Sequence, residues 1–196
     1  MSQRTRALIV AVSFVLAGCG GTATRDPVAA SVSDVSRSPI PTSTQLAGVS
    51  PPTTAVPNPN VTGTTFDGCA SVTDLQITSW ELDASTKRDT KDSILGEGVR
   101  GCRWNGDKWF LRVYATNGSL AEWEKPRPPF DRQEKVQIGA RQGGTGHEPD
   151  ACSAVVSSQQ GLAVVQVDLA RKLEREGFDA CPLAVQIMTA IEPRIP

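Results

Sequence analysis

Five cysteines carry most of the chemistry this sequence advertises. Cys19 ends the run Leu16-Ala17-Gly18-Cys19, behind Arg4, Arg6 and the apolar stretch from Ala7 to Ala17. A positive start, an apolar core and small residues before a cut make an export signal. With a cysteine just after the cut, the expectation is a leader over residues 1–18 and lipidation of Cys19. A diacylglycerol thioether on the Cys19 sulfur, with room for an amide-linked third chain, supplies the two or more chains that stable anchoring needs. The apolar run is shorter than the roughly 20 residues of a spanning helix. A plain leader with a chance cysteine, or an uncleaved anchor, is the competing reading.

Setting Cys19 aside leaves Cys69, Cys102, Cys152 and Cys181. An even number in an exported chain reads as disulfides. Four cysteines allow three connectivities. The favoured one is Cys69–Cys102 with Cys152–Cys181, because each bond then ties neighbouring elements. Each closes a loop of about 30 residues, valued at roughly 3.5 kcal/mol by the chain-entropy model. No C-x-x-C spacing supports a metal site instead.

His147 is the single histidine, with Glu148 and Asp150 close behind it. One imidazole and two carboxylates make a weak ligand set, and a solvated loop is the plainer reading. There is no Gly-x-Ser-x-Gly elbow for a serine nucleophile. Paired cysteines offer no thiolate. Gly143-Gly144-Thr145-Gly146 lacks the Lys-Ser/Thr of a phosphate loop, so it reads as a turn. Trp80, Trp104, Trp109 and Trp123 could line a ligand groove, or simply pack. No catalytic set, metal or cofactor is expected. Losing Arg4 and Arg6 with the leader leaves 18 of the 20 Lys+Arg against 21 Asp+Glu. That balance excludes the basic footprint of nucleic-acid binding.

The elements that must position these residues begin late. Residues 19–64 are rich in Thr, Ser, Pro, Ala and Val, with no apolar periodicity. Such a segment cannot offset its ordering entropy. It is expected to be a disordered tether reaching roughly 40 Å as a coil. A single domain then spans 65–196. Thr78-Ser79-Trp80-Glu81 reads as a capping box opening a helix, and Lys87 to Gly98 as a loop. Cys102–Trp104 and Trp109–Ala115 form a hairpin around Asn105-Gly106-Asp107-Lys108. Its buried face is Cys102, Trp104, Trp109, Leu111 and Val113; Arg103, Phe110, Arg112 and Tyr114 point the other way. Ser119 opens a short helix containing Trp123, which Pro126 ends. Val136–Ala140, Cys152–Ser157 and Leu162–Leu169 read as strands, and Arg171–Arg175 as a solvent-facing stretch. Asp179 caps a last helix in which Ala184, Ile187, Met188 and Ile191 share one face. The expected fold class is α+β: an antiparallel sheet of about five strands with helices packed on one face and two disulfides.

The chain resembles a family of actinobacterial lipoproteins classed as a domain of unknown function. The resemblance rests on the Leu-Ala-Gly-Cys19 signal, the Thr/Pro-rich tether, Gly68-Cys69 before a Thr-initiated helix, Cys102-Arg103-Trp104, and Asp179-Ala180-Cys181 opening the last helix. It departs at Gly68, where the family often has Pro. The resemblance implies a cell-envelope location and brings no catalytic residues. The expected function is a membrane-anchored, non-enzymatic binding or accessory module on the extracytoplasmic face of the cell membrane. Its partner would be an envelope protein or an apolar ligand. The alternative is a carrier or sensor for an apolar envelope molecule such as a lipid, held between the helices and the sheet.

Overall fold

Alternation of apolar and polar side chains builds one large sheet. A computed structural model describes residues 51–92 and 96–196. These belong to the second of two units into which the chain divides, Met1–Gln45 and Leu46–Pro196. The expected leader, Cys19 and the tether up to residue 50 lie outside the described residues.

The strands are β1 (Asp83–Asp89), β2 (Val99–Asn105), β3 (Trp109–Asn117), β4 (Arg132–Ile138), β5 (Arg141–Glu148), β6 (Ala151–Ser158) and β7 (Gly161–Leu169). They lie in the order β1-β2-β3-β7-β6-β5-β4, with every neighbouring pair antiparallel. The helices are α1 (Asp74–Ser79), α2 (Leu120–Trp123), α3 (Arg171–Arg175) and α4 (Cys181–Ile191). Short 3-10 turns follow β1 and α4.

This corrects the expected α+β architecture of about five strands with helices packed on one face. The sheet has seven strands, and the helices are few and short. They do not share a face either: α4 lies against one side of β6 and β7, and α2 reaches β6 from the other side. Two strands were hidden in the sequence. β1 is a polar edge strand whose burial is confined to Lys87 and Asp89, so its charges read as a loop. β5 contains the glycines expected to turn; glycine is depleted in strands because it has no side chain to pack. In the hairpin, Asn105 pairs with Phe110, so the connection is longer than a two-residue turn. The partition of its side chains between faces is nonetheless the one that alternation predicts.

The first face is closed. Trp104, Leu111, Val113, Val156, Val165 and Val167 are fully buried there. The 3.6-residue period of α4 brings Ala184, Ile187, Met188 and Ile191 down onto them, all without solvent exposure. Each large side chain so buried contributes about 2 kcal/mol. Cys152 is bonded to Cys181 and Cys69 to Cys102. The first bond fixes the start of α4 to β6; the second fixes the approach to α1 onto β2. Thr73 and Gln76, not Thr78 and Glu81, form the capping box of α1, and Glu81 instead leaves the helix with φ 58°.

Residues 51–66, read from composition as mostly tether, are stitched to the domain. Ala55 N–H donates to the Asp67 carboxylate at 3.1 Å, and Val56 N–H to Asp89 at 2.6 Å. The Asn58 amide donates to the Val99 carbonyl at 2.8 Å. Asn117 accepts from the N–H groups of Thr62 and Gly63 and donates to the Asn60 carbonyl. The Arg100 guanidinium donates to the carbonyls of Val61, Thr64 and Phe66. Ala55, Val61 and Thr64 are buried, so ordered structure begins upstream of residue 65.

Candidate functional site

The second face of the sheet is built differently. Alternation places Val99, Tyr114, Val155, Leu162 and Val164 there, forming a smaller apolar cluster with Trp123. Among the described residues, the segment from α2 to β4 covers it. Ser119 caps α2 by accepting from the Glu122 N–H at 3.2 Å, and Pro126 prevents its extension. The chain then passes Arg127-Pro128-Pro129-Phe130 before entering β4.

Two rings from this segment press on the glycines of β5. A Cβ on Gly144 would lie 2.8 Å from the Trp123 ring, and one on Gly146 would lie 2.8 Å from the Phe130 ring. Real Cβ atoms do not approach so closely, so both glycines are required where the rings sit. That is why a run of glycines is a strand here: its side-chain space is filled from above. The two rings meet at 5.4 Å between centroids. The Arg127 guanidinium carbon lies 5.9 Å from the Trp123 ring and 5.7 Å from the Phe130 ring. Gln133 anchors the segment by donating to the Trp123 carbonyl at 2.8 Å.

Between this segment and the sheet runs an open groove of about 350 Å³. Its floor is Val99, Tyr114, Leu162 and Val164; its walls are Trp123, Phe130 and Arg127. Ser153, Thr116 and Asn117 add polar groups. Small-molecule sites have this size and this mix of apolar lining with a few polar groups. Burial, reinforced by the Asp168 and Glu148 charges, pushes the Tyr114 hydroxyl up to about 12; Arg112 and Arg127 pull the other way.

Further along the same face is a charged platform. Arg112 donates to Asp168 at 3.0 Å, and Gln166 donates to the same carboxylate oxygen at 2.9 Å. Burial pushes the Asp168 carboxyl above its ordinary range, against the pull of Arg112. Burial and then the Asp150 charge do the same to Glu148. Arg103 pairs across the ladder with Arg112.

The residues singled out from the sequence are thus dispersed. His147 and Glu148 are adjacent in β5 and so point to opposite faces. His147 Nδ1 lies 2.6 Å from Asp131, while Glu148 faces the charged platform. Among the described residues, no three His, Cys, Asp or Glu side chains form a metal-binding group. Trp80, Trp104 and Trp109 are packed into the first-face core, and the Trp109 indole donates to the Trp80 carbonyl at 3.0 Å. Trp123 alone among the four lines the groove. The N-cap of α4 is Ala180 rather than the expected Asp179, whose carboxylate lies just before it and accepts from the Cys181 N–H at 2.8 Å and from Arg132 at 2.8 Å.

Comparison with protein families places this architecture. A family described as "Protein of unknown function (DUF3558)" matches residues 14–194. The chain belongs to this family. No curated protein and no solved structure matches it. The DUF3558 match extends across residues 51–66, both disulfides and the groove. Sequence reasoning about this DUF3558 chain missed Arg127 and Phe130 as site residues. The available signal was their setting: a cation and an aromatic ring among three prolines, immediately after Trp123.

Proposed function

We propose that this DUF3558 protein is a cell-envelope lipoprotein of the actinobacterial type, anchored through Cys19 at the extracytoplasmic face of the cell membrane. Its folded domain acts as a non-enzymatic binding module, with the groove over the second sheet face as its ligand seat. The groove is the observation that carries this reading. It combines an apolar floor, two aromatic walls and a small set of polar groups, and it is held open by a segment built for that purpose on Gly144 and Gly146. Two disulfides suit an oxidising compartment. Among the described residues no helix is long and apolar enough to cross a membrane.

A carrier role for an apolar envelope molecule would use this groove. The space between α4 and the sheet is filled by Ile187, Met188 and Ile191. The test is capture of an envelope component by the full-length chain, read by native mass spectrometry. The wild-type chain should retain a component that Tyr114→Ala with Trp123→Ala releases. Equal retention by both, or chemical turnover of the captured molecule, would overturn the reading. Detergent phase partitioning tests the anchor: Cys19→Ala should leave the detergent phase.

A further inference from the structure

The cations around the groove differ in whether their charge is already used. Arg112 is paired with Asp168 at 3.0 Å, Lys125 with Glu122 at 2.5 Å, and Lys135 with Glu124 at 2.8 Å. Arg132 serves Asp179 at 2.8 Å and Glu134 at 3.3 Å. Arg127 lines the groove; its backbone carbonyl accepts from the Phe130 N–H at 3.2 Å, but among the described residues its guanidinium has neither a carboxylate partner nor a hydrogen bond. What holds it is the pair of rings, Trp123 and Phe130. Ring contacts engage the face of a guanidinium and consume none of its five donors. The rings themselves are seated on two glycines whose Cβ positions they occupy. Prolines flank Arg127 on both sides and limit the backbone freedom of its segment. The molecule therefore fixes one cation at the rim of an apolar groove and leaves its donors unspent.

We propose that the groove takes an amphiphile with a singly charged oxyanion head, the head held by Arg127 and the apolar body lying over Val99, Leu162 and Val164. This deepens the binding-module reading and rests on it. A planar fork of donors suits a carboxylate or a phosphodiester oxygen pair. A single charge is preferred over a double one, because Arg127 is the one cation of the lining. The Tyr114 hydroxyl, which meets Gln166 only at 3.4 Å, stays neutral at physiological pH and so adds no opposing charge.

The experiment compares two probes of like shape on the full-length protein: phenylbutyrate, with a carboxylate head, and phenylbutanol, with a neutral one. Binding is followed through the NMR resonances of the Trp123 indole and the Tyr114 ring. The carboxylate should bind about tenfold more tightly than the alcohol at low salt, since charge-assisted bonds are roughly twice as strong as neutral ones. Arg127→Gln should abolish that preference, bringing the carboxylate's affinity down to that of the alcohol; Arg127→Lys should keep part of it. Arg127 is exposed, so neither variant threatens the fold. Equal binding of the two probes to the wild type would overturn the anion assignment and leave the groove as a neutral site. A preference that survives Arg127→Gln would also overturn it. Silence of both probes at Trp123 and Tyr114 would remove the groove reading as well.

Discussion

The two faces of the one sheet solve different problems. The first is sealed by α4, filled by side chains with no solvent exposure, and tied by both disulfides to the segments that cover it. The second is bridged by a four-residue helix and a proline-rich segment that touch it at two glycines. Close packing on the first face fills the space between α4 and the strands. On the second, the covering segment stands on its rings and leaves a groove beside them. The same strands thus act as a structural wall on one side and as the floor of a site on the other.

The largest expected effect lies on the sealed face. Replacing Cys152 and Cys181 together by Ser releases a closure across 29 residues and should cost about 3.5 kcal/mol. The midpoint of denaturant unfolding reads this directly. Ile187→Ala should cost about 3 kcal/mol by leaving a cavity under α4, while the Trp123 indole resonance stays in place. If that resonance moved as far as those of α4, the two faces would not be independent. On the open face, Gly146→Val should cost less, about 1–2 kcal/mol, because the Phe130 ring can swing towards solvent. The same substitution should release Arg127 from its ring contacts, read as increased motion of its side-chain N–H groups. A cost matching that of the disulfide would show that the open face also carries the fold.

The smallest effect is a titration. Tyr114 is the sole tyrosine, so phenolate absorbance reports it alone. Its midpoint should lie at about 12, not at its ordinary value of 10.0. A raised folded value means that the native state holds this proton longer than the unfolded one. Stability from this group is therefore intact below about pH 10 and is lost as pH rises towards about 12. An ordinary midpoint would mean that the groove floor is wetter than its packing implies.

Strong periodicity made parts of this molecule readable in advance. The spacing of Ala184, Ile187, Met188 and Ile191 marks the buried face of α4, and the apolar runs of β6 and β7 mark the centre of the sheet. The connectivity of the four cysteines follows from which elements are neighbours. Signals failed where the deciding partner is remote in sequence. β1 is polar because it is an edge, and its Lys87 is buried only because the Cys69 carbonyl receives its ammonium at 2.8 Å. The glycines of β5 suggest a turn until the rings of Trp123 and Phe130 are placed over them. The Thr78 pattern expected to open a helix falls instead in the last turn of α1, which opens at the Thr73–Gln76 box. Trp123 was visible as a candidate wall of a site; Arg127 was not, because its significance is the charge it does not share.

Residues 51–66 give the domain a mechanical character. A pull on the chain upstream of residue 55 would reach their bonds in sequence order: Ala55 and Val56 first, then Asn58, the Asn117 clasp, and last the Arg100 fork. Bonds loaded one at a time yield at low force, as a zip does, and the freed residues 55–66 would span at most about 40 Å. The unzipping halts at Cys69, where the covalent bond to Cys102 passes the load into β2, one strand in from the sheet edge. Residues 51–66 thus amount to a yielding lead-in with a fixed stop.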